Sequence, residues 1–252
     1  MTTKPTVLIA GESWVIHSIH QKGFDSFTTT EYAEGIKWLR AALENNGWNV
    51  EYQPAHVAAS DFPSTVEELS KYKCVILSDI GANTLLLHPH TFTRSKVLPN
   101  RLHAIRDYVA EGGGFVMIGG YLTFQGIDGK GQYQGSAIED IMPVLLKSND
   151  DRIEVPQGVT PTIQEVGHPI VSGLSKEWPE LLGYNQVHMK AEGTLVASAG
   201  EDPLIACGRF GDGRTVAFTS DCAPHWAPEN FVTWKDYNNL WHQIVSWSAG
   251  LI

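Results

Sequence analysis

The stretch TSDCAPHW sets a carboxylate, a thiol and an imidazole close together as Asp221, Cys222 and His225. A cysteine, a base and an orienting acid are the parts of a nucleophilic site, although such groups work through their arrangement in space and not through adjacency in sequence. The bland reading of the same residues is a rigid loop shaped by Pro224 and Trp226, with His225 hydrogen-bonded in place. GESWVIHSIHQKGFDSF adds Glu12, Ser13, Trp14, His17 and His20, SDIGANTLLLHPH adds Asp79, Asn83, His88 and His90, and GGYLTFQG adds Tyr121 and Gln125. Carboxylates and imidazoles suit general acid–base work, and aromatic faces suit sugar-like or planar ligands. His17 and His20 are spaced to share one helical face and hold a metal, but no HExxH context surrounds them and no metal or other cofactor is expected. Asp79 serves equally well as a strand-end acceptor of backbone N–H groups, HPH as a solvated turn, and Tyr121 and Phe124 as packing residues. Arg209 and Arg214 read as surface charges.

The elements that must position these groups follow from the apolar pattern. PTVLIAGE, WNVEYQPA, KCVILSDIG and GFVMIGG read as strands. Between them, Tyr32, Ile36, Leu39 and Leu43 fall at helical spacing with Gly47 as a stop. Ser64 and Glu67 form a capping box, and Leu102, Ile105 and Val109 share one face of a helix that ends in glycines. Strands alternating with helices imply a parallel sheet covered on both faces, with ligands beyond the carboxyl ends of the strands. Each cluster above follows a strand, so all four are expected at one edge. From Gly126 to Gly193 frequent Gly and Pro predict short strands and turns. FGDGR is a hairpin turn within a meander, and TWKDYNNLWHQIVSWSAG is a final helix capped by Thr233, with Tyr237, Leu240, Ile244 and Trp247 buried. One domain is expected across residues 1–252.

Composition removes several classes. The 252 residues are 42% hydrophobic and 18% charged with a net charge of −10, which argues against nucleic acid and anionic lipid as partners. No apolar run spans a membrane, and the opening residues read as a first strand and not as a signal peptide. Three scattered cysteines, Cys74, Cys207 and Cys222, argue against a disulfide framework and for a reducing cytoplasm. Cys74 and Cys207 sit in apolar runs and read as core residues.

The order of elements, the GGGFVMIGG bend, GHPIVSGL and FGDGRTVAFTSD resemble the class I glutamine amidotransferase-like fold. AGESWVIHSIHQKGFDSF, LSDIGANTLLLHP and TSDCAPHW are similar to the putative glutamine amidotransferase branch related to ThuA-like trehalose-utilisation proteins. The resemblance spans nearly the whole chain. It implies an α/β, flavodoxin-like three-layer sandwich with a mostly parallel central sheet and a β-rich C-terminal extension, and no assigned substrate. Amidotransferases of this class carry a cysteine in a G-x-C-x-G bend and a later H-x-E pair, with backbone N–H groups holding the oxyanion. Here the bend is Gly119-Gly120-Tyr121, and TSDCAPHW contains no H-x-E. Glutamine hydrolysis through a thioester is therefore not expected.

Three functional readings remain. The first is a pocket at the sheet edge that binds a small molecule and works by acid–base chemistry, with Glu12, Asp79, Tyr121, Cys222 and His225 as the reacting groups. A variant of it makes Cys222 the nucleophile and His225 its base. Ser13, Trp14, His17, His20, Asn83, Gly119, Gly120, Gln125, Asp221 and Trp226 would line that pocket. The second reading is a non-catalytic binding or assembly module, with homo-oligomers expected. The third is a metal-dependent hydrolase using His17, His20, Asp79 or His225.

Overall fold

The computed structural model describes residues 4–252. Strands β1 (Thr6–Gly11), β4 (Asn49–Gln53), β5 (Cys74–Ser78), β6 (Gly114–Ile118) and β14 (Gly213–Phe218) lie parallel in one sheet. That sheet has eight strands in the order β4-β1-β5-β6-β14-β13-β12-β9. Its second half turns antiparallel through β13 (Asp202–Phe210), β12 (Thr194–Ala199) and β9 (Pro161–Ile163). Three two-stranded ribbons complete the described strands: β2 (Ser13–Lys22) with β3 (Asp25–Glu34), β7 (Val144–Leu145) with β11 (His188–Met189), and β8 (Arg152–Val159) with β10 (Leu181–Asn185). The last two make the β-rich extension.

The central strands are apolar without alternation because helices cover both faces. Val7 and Ile9 of β1 pack in one cluster with Leu39 and Leu43 of helix Lys37–Asn45 and with Leu240 and Ile244 of helix Tyr237–Ser248. Leu8 and Ala10, on the other face of the same strand, join Phe62 and the Leu102, Ile105 and Val109 face of helix Arg101–Ala110. This period-two split of a single strand produces the three layers of an α/β sandwich. Cys74 and Cys207 are buried core residues.

Several local expectations are corrected. Tyr32 lies in strand β3 and not on the first helix, which starts at Lys37. His17 and His20 lie on β2 and not on a helix. The Val, Ile and Thr content of residues 15–30 favours a pleated ribbon over a helix, because β-branched side chains lose rotamer freedom against a helical turn. The cap of helix Val66–Leu69 is Thr65, one residue later than expected: its side chain accepts from the Glu68 N–H at 3.2 Å, and Glu68 reaches back to the Ser64 N–H at 2.7 Å. Thr233 closes the short helix Glu229–Val232, and the final helix begins after Asp236 without a side-chain cap. His88 caps helix Pro89–Arg94, so HPH opens a short helix.

Candidate functional site

The four chemical clusters follow β1, β5, β6 and β14, which run side by side in the sheet. Their strand ends surround a cavity of about 420 Å³ lined by Glu12, Trp14, Asp79, Tyr121, Asp221 and His225, with Leu122, Ile127 and Pro224 as its apolar wall. Glu12 and Asp79 leave their strands in left-handed backbone conformations, at φ 49° and 45°. Such torsions are costly outside glycine and persist only where surrounding bonds impose them. Here those bonds run from the Glu12 N–H to the Ser78 carbonyl at 2.7 Å, and from the Leu122 N–H to Asp79 Oδ1 at 2.8 Å. The turns swing both carboxyls toward the cavity.

Glu12 is buried. The Ser78 hydroxyl donates to its Oε2 at 2.5 Å, and its carboxyl pKa is pushed up to about 7, first by burial and then by the nearby charge of Asp79. Asp221 is also buried and is raised well above the ordinary carboxylate range, by burial first and then by Glu12 and Asp79. Half-buried Asp79 is raised by burial. Like charges packed in low dielectric cannot all ionise cheaply, so this cluster retains protons at neutral pH. His225 Nδ1 stands 4.0 Å from Asp221 Oδ2, and burial lowers the imidazole pKa, leaving a neutral acceptor. Its ring meets Tyr121 edge-on at 4.4 Å between centroids.

Cys222 is not poised as a nucleophile. It is fully buried, its sulfur lies 3.7 Å from the Ser78 hydroxyl with no imidazole in hydrogen-bond reach among the described residues, and burial raises its thiol well above the usual range. The Cys222–His225 pairing, one of the two readings of TSDCAPHW, is not formed: the chain turns between the two residues, sending the thiol into the core and the imidazole to the cavity. Donor atoms of Glu12, Asp221 and Cys222 do lie within 4.8 Å of one another. That is near enough for one cation, but burial favours the protonated form of each, so a metal would have to displace their protons.

The bend at Gly119-Gly120-Tyr121 is held by groups that sequence patterns did not reveal. Asn185 at the end of β10 accepts from the Gly120 N–H at 3.0 Å and donates to the Gly120 carbonyl at 3.1 Å and to buried Asp151 at 2.8 Å. Asp151 in turn accepts from the Gln125 and Gly126 N–H groups. Glu154 of β8 accepts from the Tyr121 hydroxyl at 3.1 Å and from Trp226 Nε1 at 3.0 Å. These three acceptors sit in the irregular region after Gly126, where no periodicity marks them. Gly119 is required by close approach: a Cβ there would lie 2.1 Å from the Thr219 carbonyl oxygen.

Other expected lining residues lie elsewhere. His17 bonds Thr30 at 3.0 Å and His20 stacks on Phe27, both on the exposed ribbon and outside the cavity wall. Ser13 accepts from the Ala55 N–H, Asn83 donates to Gln132, the Gln125 amide folds back onto its own loop, and Trp226 is buried behind Tyr121.

A wound, mostly parallel sheet with a cavity over its carboxyl edge defines a flavodoxin-like α/β protein. The chain belongs to the family described as "Putative glutamine amidotransferase", which matches residues 6–249. It is similar to two solved structures from Salmonella typhimurium, each 42% identical. For Cytoplasmic Protein STM3548 the TM-score is 0.93, covering 96% of this chain and 98% of that one. For Cytoplasmic Protein STM1381, of strain LT2, it is 0.94, covering 96% and 99%. A ThuA-like protein from Parabacteroides merdae shares the fold at 14% identity with a TM-score of 0.59, over 98% of this chain and 90% of that one. No curated protein matches the chain.

Proposed function

We propose that the cavity binds an uncharged or cationic small molecule and that Glu12 exchanges a proton with it. The observation that carries this reading is a buried carboxyl with a pKa near 7 in the wall of a cavity large enough for a metabolite. A general acid–base group works best when its pKa lies near the working pH. Burial, and after it the charge of Asp79, keeps Glu12 protonated longer than solvent would, and neutral His225 supplies a second acceptor in the cavity wall. No lysine or arginine lines the cavity among the described residues, so an anionic ligand would find no counter-charge in its wall. Trp14 offers an aromatic face to a sugar-like, planar or cationic group, whereas the Tyr121 ring already carries the Arg152 guanidinium over it.

Despite the family description, the bend carries glycines and a tyrosine where a thioester would need a thiol. Purified chain is expected to release no ammonia from glutamine. Three free, buried cysteines and the two similar proteins called cytoplasmic support a cytoplasmic location.

The test is a thermal-shift screen of neutral, cationic and anionic metabolites against the wild type and Glu12→Gln. Hits among neutral or cationic compounds, with affinity varying across pH 6–8 in the wild type and flat in the variant, support the reading. Hits confined to anions, or pH profiles that coincide for the two chains, overturn it.

A further inference from the structure

The β2–β3 ribbon has no role in the cavity beyond Trp14 at its base. It is a ten-rung antiparallel ladder running from Ser13↔Glu34 to Lys22↔Asp25, paired with no other strand among the described residues. All but a few of its residues are exposed on both faces, including Val15, Ile19, Phe24, Phe27 and Tyr32, with Ile19 at 74%. A lone two-stranded ribbon is marginal in water, because neither face buries enough apolar surface to offset chain ordering. Both of its edges present unpaired backbone groups. From Trp14 to Gln21 and from Ser26 to Thr30 it holds no Asp, Glu, Lys, Arg or Pro, the residues that ordinarily protect an edge.

We propose that this ribbon is a dimerisation arm whose partner is the arm of a second copy of the chain. Three observations select a copy of the chain itself. A strand edge is self-complementary about a two-fold axis, since antiparallel pairing of one edge with its own copy satisfies both sets of backbone groups. On a chain of net charge −10, two copies repel over most of their surface, and the middle of the ribbon is a stretch where they meet without formal charge. The β2 edge is the better suited of the two, carrying only Lys22, whereas β3 carries Asp25, Glu31 and Glu34. Each face of the ribbon measures roughly 33 by 10 Å from strand geometry. One such face, roughly 330 Å², is less than half of the ~800 Å² per partner of a stable interface, so edge pairing and the surface flanking the arm must supply the rest.

Sedimentation velocity at about 100 µM tests the arm on three full-length proteins. The first is the wild type. The second is Ile19→Asp with Phe27→Asp, which keeps the ladder and places charge in its middle. The third removes residues 15–32 and joins Trp14 to Ala33, already cross-strand partners, through two glycines. The expected result is a dimer, or an even multiple, for the wild type and a monomer for both variants, with circular dichroism verifying that each is folded. A monomeric wild type overturns the proposal, as does a folded variant of either kind that keeps the wild-type mass. Should the shortened chain fail to fold, the double substitution decides alone, because its side chains lie outside the core clusters.

Discussion

At the scale of single residues, Glu12 links proton binding to stability. Its folded pKa of about 7 lies above the ordinary value near 4.5, so between those limits the folded chain holds a proton that the unfolded chain has released. Stability from this site is complete below about pH 4.5 and is lost as pH rises through about 7. A shift of that size corresponds to about 3 kcal/mol. Buried Asp221 moves in the same direction, its carboxyl raised by burial and by Glu12. Calorimetry of the wild type should show the melting temperature falling between pH 5 and 8, by up to roughly 6–12 °C from Glu12 alone. Glu12→Gln removes the titrating group and should flatten that slope; parallel profiles in the two proteins would refute a protonated Glu12. Cys222 teaches the complementary lesson. Its sequence neighbours advertise a nucleophile, and its place against Ser78 beneath the sheet edge makes it inert.

At the scale of elements, the bend after β6 depends on side chains from β10 and from the turn before β8. Asn185→Ala would strip a partner from the Asp151 carboxylate and from both backbone groups of Gly120, leaving buried polar atoms unpaired. Roughly 1–3 kcal/mol of stability should be lost per group left unsatisfied. Chemical denaturation is expected to reveal that loss, together with weaker ligand binding because Tyr121 is no longer fixed; unchanged values for both would show the network to be dispensable. The sequence made the parallel strands legible, since β1, β5 and β6 are uninterrupted apolar runs buried on both faces, and with them the edge where chemistry collects. It hid the ribbon, because Tyr32 and Ile36 happen to continue the spacing of the following helix backward across its true start at Lys37. It also hid Asn185, Asp151 and Glu154. Their importance comes from long-range contacts to residues 119–126 and 226, and no local pattern encodes those.

At the scale of the whole molecule, the ribbon touches the sandwich mainly at its base, through Ser13 on the Ala55 N–H and Tyr32 against His56. Neither apolar core cluster contains a ribbon residue. Deleting residues 15–32 should therefore shift the melting temperature of the isolated subunit by no more than about 2 °C, equivalent to under 1 kcal/mol; a larger drop would show that the sandwich leans on the arm. The bend imposes a different kind of constraint. A side chain introduced at Gly120 would bring its Cβ to 2.9 Å from Asp79 Oδ1, the atom that receives the Leu122 N–H, and at Gly119 the obstacle is backbone. Engineering a glutaminase from this scaffold by one exchange at either glycine is thus self-defeating: seating the sulfur at Gly120 evicts the acid that shapes the neighbouring wall. Thiol and carboxylate are rival tenants of a single site, and this protein houses the carboxylate.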